Sequence, residues 1–489
     1  MNADEDCVVW QREESTVKKI GLGIISAVVI LAMAGGVSCA SRQPEDERDI
    51  HEIPETEASL AKNENSEPVK KEPIADLEDA YEMVLNNCSR SFIGGHVIDE
   101  SFMGWIHANY GEDTVLALAN HVQEGGQDAD LWYELTGNSI HVLWLYYCQD
   151  TGLSNDDLDN VYWQETADSE KTVLDFTGDI NFSEGWVTTT HMDAQANGIY
   201  DCFSRELLEE MNSADIMMIN NEFTYSERGE PLEGKDYTFR ARPDRVELLD
   251  VFGTDIAGVA NNHVYDYGPD ALLDTLSTLR EAEIPYVGAG ENLEEASKPV
   301  YFVANGKKIA IVAATQIERS LNYTKEATDT TPGVLKTLNA EKYVKVIERA
   351  RDNSDYVIAF VHWGTEGDDR YGQDQVNLAH QFVAAGADVI IGGHTHCLQG
   401  MQYIDGVPVI YSLGNFWFSA SALDTGMSQV VIHSDGSIDF RFLPCIQKNL
   451  TTSLVTEQAE KERIFRYVES ISTGISIDSE GYVTDMSGL

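Results

Sequence analysis

Positive charge is scarce in this sequence. Lys and Arg total 33 against 83 Asp and Glu, a net charge of −50 at pH 7 over 489 residues. Nucleic-acid binding rests on Lys and Arg neutralising phosphates, so nucleic acid is excluded as a partner. The same imbalance argues against adhesion to anionic lipid headgroups. Cysteine is sparse as well. Cys7, Cys39, Cys88, Cys148, Cys202, Cys397 and Cys445 are scattered, odd in number, and form no CxxC. A disulfide framework and a zinc ribbon are therefore set aside. Apolar residues are not lacking: 43% of the chain is hydrophobic and 9% aromatic, enough for a real core. The length sets an expectation of two or three domains, or one large domain with additions.

One long stretch is free of charge. Ile20 to Ser41 carries none, and Ile20 to Ala34 is strongly apolar, with Lys18 and Lys19 directly before it. The stretch reads as a signal segment or single membrane anchor. The preceding region is long for a cleaved signal and holds Asp4, Glu5, Asp6, Glu13 and Glu14, which favours an uncleaved anchor. Arg12, Lys18 and Lys19 then place the N-terminus in the cytoplasm and the rest of the chain outside, with the cell membrane as partner. Gly36-Val37-Ser38-Cys39 is similar to a lipobox, but Gly36 stands where Leu is usual, so lipidation at Cys39 is the lesser reading. Residues 1–41 thus form the cytoplasmic N-terminus and anchor. Residues 42–73 form an acidic linker with Pro44, Pro54, Pro68 and Pro73, too poor in apolar residues to fold.

Residues 74–169 read as mostly helical, with apolar residues at helical spacing in LEDAYEMVL and EDTVLALANHV. Trp105, Trp132, Trp144 and Trp163 lie here and read as core. His96, His107, His121 and His141 share no ligand spacing. Over residues 170–445 short apolar runs alternate with helical patterns such as DALLDTLSTLREA and EKYVKVIERA. That texture predicts an α/β domain with strands buried on both faces. Residues 446–489 read as one helix and a polar tail.

In such folds ligands collect at the carboxyl ends of strands. Here five apolar runs end in polar clusters: Gly178-Asp179-Ile180-Asn181, Asn220-Asn221-Glu222, Asn261-Asn262-His263 with Asp266, His362 with Glu366, and His394-Thr395-His396. Each alone is weak. Together, carboxylates, an amide oxygen and imidazoles suit one or two divalent cations of the Mn, Zn, Fe or Mg kind. The i,i+2 spacing of His394 and His396 puts both on one side of an extended segment. Arg240 and Arg242 precede Pro243 and read as contacts for an anionic substrate or as a solvated surface pair.

The strings TGDINF (177–182), ADIMMINNE (214–222), ANNHVYDYG (260–268), VHWGTE (361–366), GGHTH (392–396) and YSLGNF (411–416) resemble, in order and spacing, the CapA/PgsA family of bacterial poly-γ-glutamate capsule synthesis proteins. That family is a branch of the calcineurin-like metallophosphoesterases. The resemblance covers about Lys171 to Pro444. It implies a four-layer α/β/β/α sandwich with metals at strand ends, here joined to an N-terminal anchor and a helical extra region. Carried over residue by residue, Asp179 and His396 would serve a first metal. Asn262, His362 and His394 would serve a second, and Glu222 would stand near the bridging position beside Asn220 or Asn221. His263, oriented by Asp266, would be the proton donor or phosphate contact. Glu366 would be an added ligand or a partner to one. Asn415, which follows a strand, reads as lining the pocket or as part of a strand-end turn packed by Phe416 and Trp417. Two departures stand out. Catalytic relatives carry Asp-x-His where this chain has Asp179-Ile180-Asn181, and Gly-Asp where it has Asn220-Asn221-Glu222. An amide in place of an imidazole weakens binding of a borderline metal.

Two functions follow. The first is an anchored extracellular component of poly-γ-glutamate synthesis or export, working with other capsule synthesis subunits and holding polymer at a metal-like pocket. The second is a metal-dependent hydrolase, acting on a phosphoester or γ-glutamyl bond inside or outside the capsule pathway. Enzymatic turnover is left open between them.

Overall fold

A computed structural model describes residues 72–87, 98–126, 129–153, 159–319 and 323–488, all within the unit Lys70–Leu489. The expected anchor and most of the linker lie outside the described residues. Among the described residues no helix is long and apolar enough to cross a membrane.

Two sheets dominate. Their strands, in chain order, are β1 (Val161–Trp163), β2 (Lys171–Ile180), β3 (Ile216–Asn221), β4 (Ile256–Gly258), β5 (Tyr286–Val287), β6 (Val300–Ala304), β7 (Lys307–Thr315), β8 (Tyr356–His362), β9 (Val389–Gly393), β10 (Met401–Ile404), β11 (Val407–Ile410), β12 (Asn415–Trp417), β13 (Leu423–His433), β14 (Ile438–Lys448) and β15 (Thr451–Leu454). One seven-stranded sheet has the order β1-β6-β7-β8-β9-β11-β10. The eight-stranded sheet has the order β15-β14-β13-β2-β3-β4-β5, with β12 also paired to β2. Both sheets are mixed. Their centres, β2-β3-β4 and β7-β8-β9, are parallel.

The apolar runs explain the layering. Successive strand side chains point to opposite faces, so a run without polar residues must be covered twice. In β7, Ile309, Ile311 and Ala313 face one core while Ala310, Val312 and Ala314 face another. In β3, Ile216 and Met218 join the first core, whereas Met217 and Ile219 join a third. The shared core therefore lies between the sheets. The outer faces are covered by helices Gly268–Glu281 on one side and Ala340–Asp352 and Gln373–Ala384 on the other. The result is a mixed α/β protein layered helix, sheet, sheet, helix.

Tyr343 ties one outer helix to its sheet. Its fully buried hydroxyl lies 3.0 Å from the Val312 carbonyl and 3.1 Å from that of Phe360. Removing it leaves buried carbonyls short of a donor, so Tyr343→Phe is expected to lower unfolding free energy by about 1–2 kcal/mol, read from urea midpoints.

The helical segment packs on itself and on the sheet edge. Helices Glu100–Tyr110, Glu112–Gln123 and Ile140–Thr151 bury Phe102, Ile106, Val115, Leu118 and Leu143 together, with Trp132 among them. Trp105 and Trp144 ring Phe102 at centroid distances of 6.2 and 5.6 Å. Asp99 caps the first of these helices by accepting the Phe102 N–H at 2.9 Å. Ser139 donates to Asp355 at 2.6 Å, joining the segment to the sheet. The chain then adds β1 to that sheet, parallel to β6. The larger sheet also runs past the boundary expected at residue 445, which falls inside β14. The hairpin β13–β14 is half polar, and its pairing with β2 is long-range, so local pattern does not announce it. Helix Gln458–Ile471 closes this end, burying Ile464, Phe465 and Val468 in the inter-sheet core.

Candidate metal centre

The polar residues gather where the parallel strands of both sheets end. At Thr177, β2 still pairs with β13, but at Asp179 its neighbour is Asn415 of β12. Across from it, β9 ends in Gly393. A Cβ at Gly393 would lie 2.9 Å from Asp179 Oδ1 and 3.5 Å from His362 Nδ1, so only glycine permits this approach. His394 and His396 then adopt positive φ values of 95° and 58°. This uncommon backbone turns both rings into the site.

Asp179 is buried and accepts the Asn220 side-chain N–H at 2.6 Å. Its other oxygen lies 3.2 Å from His396 Nδ1. Burial alone would raise its pKa, but the His396 contact and neighbouring imidazoles hold it below the usual carboxylate range. Burial would likewise lower His396, yet its bond to Asp179 and the charge of Glu222 hold it up at about 9. His396 Nδ1 is also 2.8 Å from Asn415 Oδ1. His362 is pushed down to about 4 by burial, and His394 falls well below its ordinary value through burial and then the nearby His362. Neutral imidazoles are the form that ligates metals.

Glu222 stands at the middle. It is fully buried, 3.2 Å from His362 Nε2, and neither carboxylate oxygen accepts a hydrogen bond. Burial and then the Asp179 charge push its pKa well above normal. Two triads share it: Glu222, His362 and His394, and Asp179, Glu222 and His396, each with donor atoms within 4.8 Å of one another. His394 Nδ1 is also buried without a partner. Orphaned buried acceptors are costly unless a cation meets them, and this oxygen–nitrogen donor set fits a divalent metal.

The amides divide their work. Asn262 Oδ1 lies 2.7 Å from His362 Nε2, within the site. Asn261 instead fixes the turn, accepting the N–H groups of His263 and Val264 at 3.1 and 3.0 Å. Asn181 accepts the Ser183 N–H at 2.8 Å, so its oxygen serves the strand-end turn. Asn221 donates to the Phe223 carbonyl at 3.1 Å while its oxygen stays unpartnered. His263 Nδ1 bonds Asp266 Oδ2 at 2.7 Å, and burial lowers its pKa against the pull of Asp266. Glu366 stands 4.0 Å from His394 Nε2, mostly exposed. Arg242 pairs with Glu184 and Asp244, and Arg240 lies over the Tyr267 ring and donates to the carbonyls of Arg228 and Gly229. None of these arginine contacts involves the triads.

One residue of the site carries no signal in the sequence. Lys235, nearly buried, bonds Asp266 at 2.6 Å and Glu318 at 3.1 Å, and donates to the Asn262 carbonyl. It sits in the loop LEGKDYTFR, with no strand before it to mark it.

Fold and site together define a layered α/β protein with an overlapping pair of acidic and imidazole triads at its strand ends. The chain belongs to the family described as bacterial capsule synthesis protein PGA_cap, whose model matches residues 173–420. It is 32% identical over 242 residues to the capsule biosynthesis protein CapA of Bacillus anthracis, covering 47% of this chain and 57% of that one. It is 30% identical to the PGA biosynthesis protein CapA of Bacillus subtilis, over 47% and 60% of the two chains. It thus spans less than two thirds of these relatives. Among solved structures, a hypothetical protein from Thermus thermophilus is similar at 14% identity and a TM-score of 0.33, over 56% of this chain and 99% of that one. A 5'-nucleotidase from Candida albicans is similar at 12% identity and a TM-score of 0.30, over 58% and 53%.

Proposed function

We propose that this chain is an accessory protein of poly-γ-glutamate capsule synthesis, held at the outer face of the cell membrane by its N-terminal segment. In this reading the fold is metallophosphoesterase-like and the centre takes one or two divalent metals. Membership of the capsule synthesis family supports the pathway. The observation that carries the metal-centred site is Glu222, buried and shared by two triads, with no hydrogen bond to either oxygen.

Glu222, His362 and His394 would hold one metal, with Asn262 beside them. Asp179 and His396 would complete the other site with Glu222. A bound metal supplies Lewis acidity and an activated water. The chain's own groups do the rest. Asp266 fixes the His263 ring through Nδ1, which leaves Nε2 to meet a ligand. Lys235 holds Asp266 in place. His396 and Asn220 favour the ionised Asp179 carboxylate, and Asn220 and the His394 N–H aim it.

The test is complementation. A producing strain lacking this chain should lose surface polymer and regain it with the wild type. His394→Ala, expressed at the same level, should restore less than about a tenth of that polymer, measured by immunoassay of γ-linked glutamate. Full restoration would remove the metal-centred site from the function.

A further inference from the structure

A second cluster of charge lies beside the metal centre. A cleft of about 670 Å3 is lined by Tyr265, Glu318, Arg319, Lys325, Glu326 and Lys336, among others. Its volume is in the ~300–1,000 Å3 range of small-ligand sites. It opens at the ends of β4 and β7, the same edge that carries the triads. Lys336 bridges to Thr315, the last residue of β7.

Lys336 is the unusual member. Its side chain lines the cleft, the residue is 3% exposed, and its Nζ has no hydrogen-bond partner. A buried ammonium without a hydrogen bond is costly, and burial lowers its pKa while the charges of Glu318 and Glu326 pull the other way. The carboxylates of the cleft are engaged elsewhere, Glu318 with Lys235 at 3.1 Å and Glu326 with Lys342 at 2.8 Å, and of its cations Arg319 also pairs with Asp374 at 3.5 Å. The cleft's own formal charge is three cations (Arg319, Lys325, Lys336) against two carboxylates (Glu318, Glu326), or 3 − 2 = +1. In a chain of net charge −50, this is a local reversal of sign.

The cleft is also joined to the site. Glu318 bonds Lys235, Lys235 bonds Asp266, and Asp266 bonds His263. Arg319 donates to the Gly364 carbonyl at 2.6 Å, two residues beyond His362.

We propose that this cleft binds one carboxylate of an anionic ligand, with Lys336 Nζ as its principal partner and Arg319 and Lys325 beside it. The ligand class is a γ-linked glutamyl chain, whose free α-carboxylates recur along it. Naming the polymer rests on the capsule reading above; the carboxylate site rests on Lys336. A monoanion matches the +1 charge. A dianionic phosphate would leave excess negative charge against Glu318 and Glu326. Bulk repulsion from the acidic surface leaves such a polymer only local cations to hold.

The experiment is calorimetry on the full-length chain with three probes: a γ-linked glutamyl tetramer, the same tetramer with α-carboxamides, and inorganic phosphate. The acid tetramer should bind, the carboxamide at least tenfold more weakly, and phosphate at equal concentration should not displace the acid. Lys336→Met should weaken acid binding at least tenfold without lowering the melting midpoint. No binding by the wild type, equal binding of the carboxamide, displacement by phosphate, or an unchanged Lys336→Met would each overturn the proposal. If Lys336→Met does not fold, the acid–carboxamide comparison on the wild type decides. Binding through Lys336 in a chain whose His394→Ala variant still restores polymer would sink the metal-centred reading and leave this site standing. Lost polymer without tetramer binding would do the reverse.

Discussion

Glu222→Gln is expected to empty both triads at once. The change is nearly isosteric, so the buried side chain keeps its space, but it removes the one charge shared by the two donor sets. In the metal-free protein that charge is already unfavourable, since burial and Asp179 push the carboxyl well above its ordinary pKa. The variant should therefore fold as well as the wild type without metal. With metal the two should part. Elemental analysis after dialysis against a defined divalent salt should find at least tenfold less metal per chain in Glu222→Gln. The rise in melting midpoint that metal gives the wild type should vanish with it, because stabilisation by a ligand follows its affinity for the folded state. Wild-type metal content in the variant would mean that Glu222 is not a ligand.

The second large effect is one of stability. Asp175 lies on β2, fully buried, with Oδ1 accepting from Gln429 at 3.0 Å and Oδ2 unpartnered. Burial raises its pKa to about 8, with Gln429 pulling the other way. In the unfolded chain the group ionises near ~4. Between those values the folded state keeps a proton that the unfolded state has lost. Stability from this group is therefore full below about 4 and falls as pH rises towards about 8. Asp175→Asn keeps an acceptor for Gln429 and cannot ionise. It should unfold at nearly the wild-type urea midpoint at about pH 3.5 and be more stable at about pH 8.5, by on the order of 5 kcal/mol. Equal pH dependence in both proteins would show that Asp175 does not hold its proton when folded.

The parts of the site that could be read from sequence share a physical origin. A parallel strand buried on both faces must be apolar until it leaves the core. The switch from Val357–Val361 to His362, or from Val389–Ile391 to Gly392-Gly393-His394, therefore marks both the strand end and the pocket. Asp179, Glu222, His362, His394 and His396 are legible for that reason. Lys235 is not, because nothing local distinguishes a loop lysine that folds back on Asp266, 31 residues away. The roles of Asn261 and Asn262 are separable only by geometry, since either amide can cap a turn or face the site. The strands β13 and β14 leave no clear pattern, because Leu423–His433 mixes polar and apolar residues and its partner β2 lies some 250 residues away. Arg240 and Arg242 read as a solvated surface pair or as contacts for an anionic substrate, and the sequence alone does not separate the two. Their nearest partners are Tyr267, Glu184 and Asp244.

The three residues of β1 carry a last consequence. Without them Val300–Ala304 would end the seven-stranded sheet as a bare row of backbone donors and acceptors, open to any extended chain. Strand addition of that kind is how folded proteins zip together and precipitate. The helical segment ends that row after Val161, Tyr162 and Trp163, and Trp163 is pinned by stacking on Tyr146 at 5.1 Å. The open edge is then the three residues of β1 and not the five of Val300–Ala304, a shorter template for a second copy to extend into one continuous sheet.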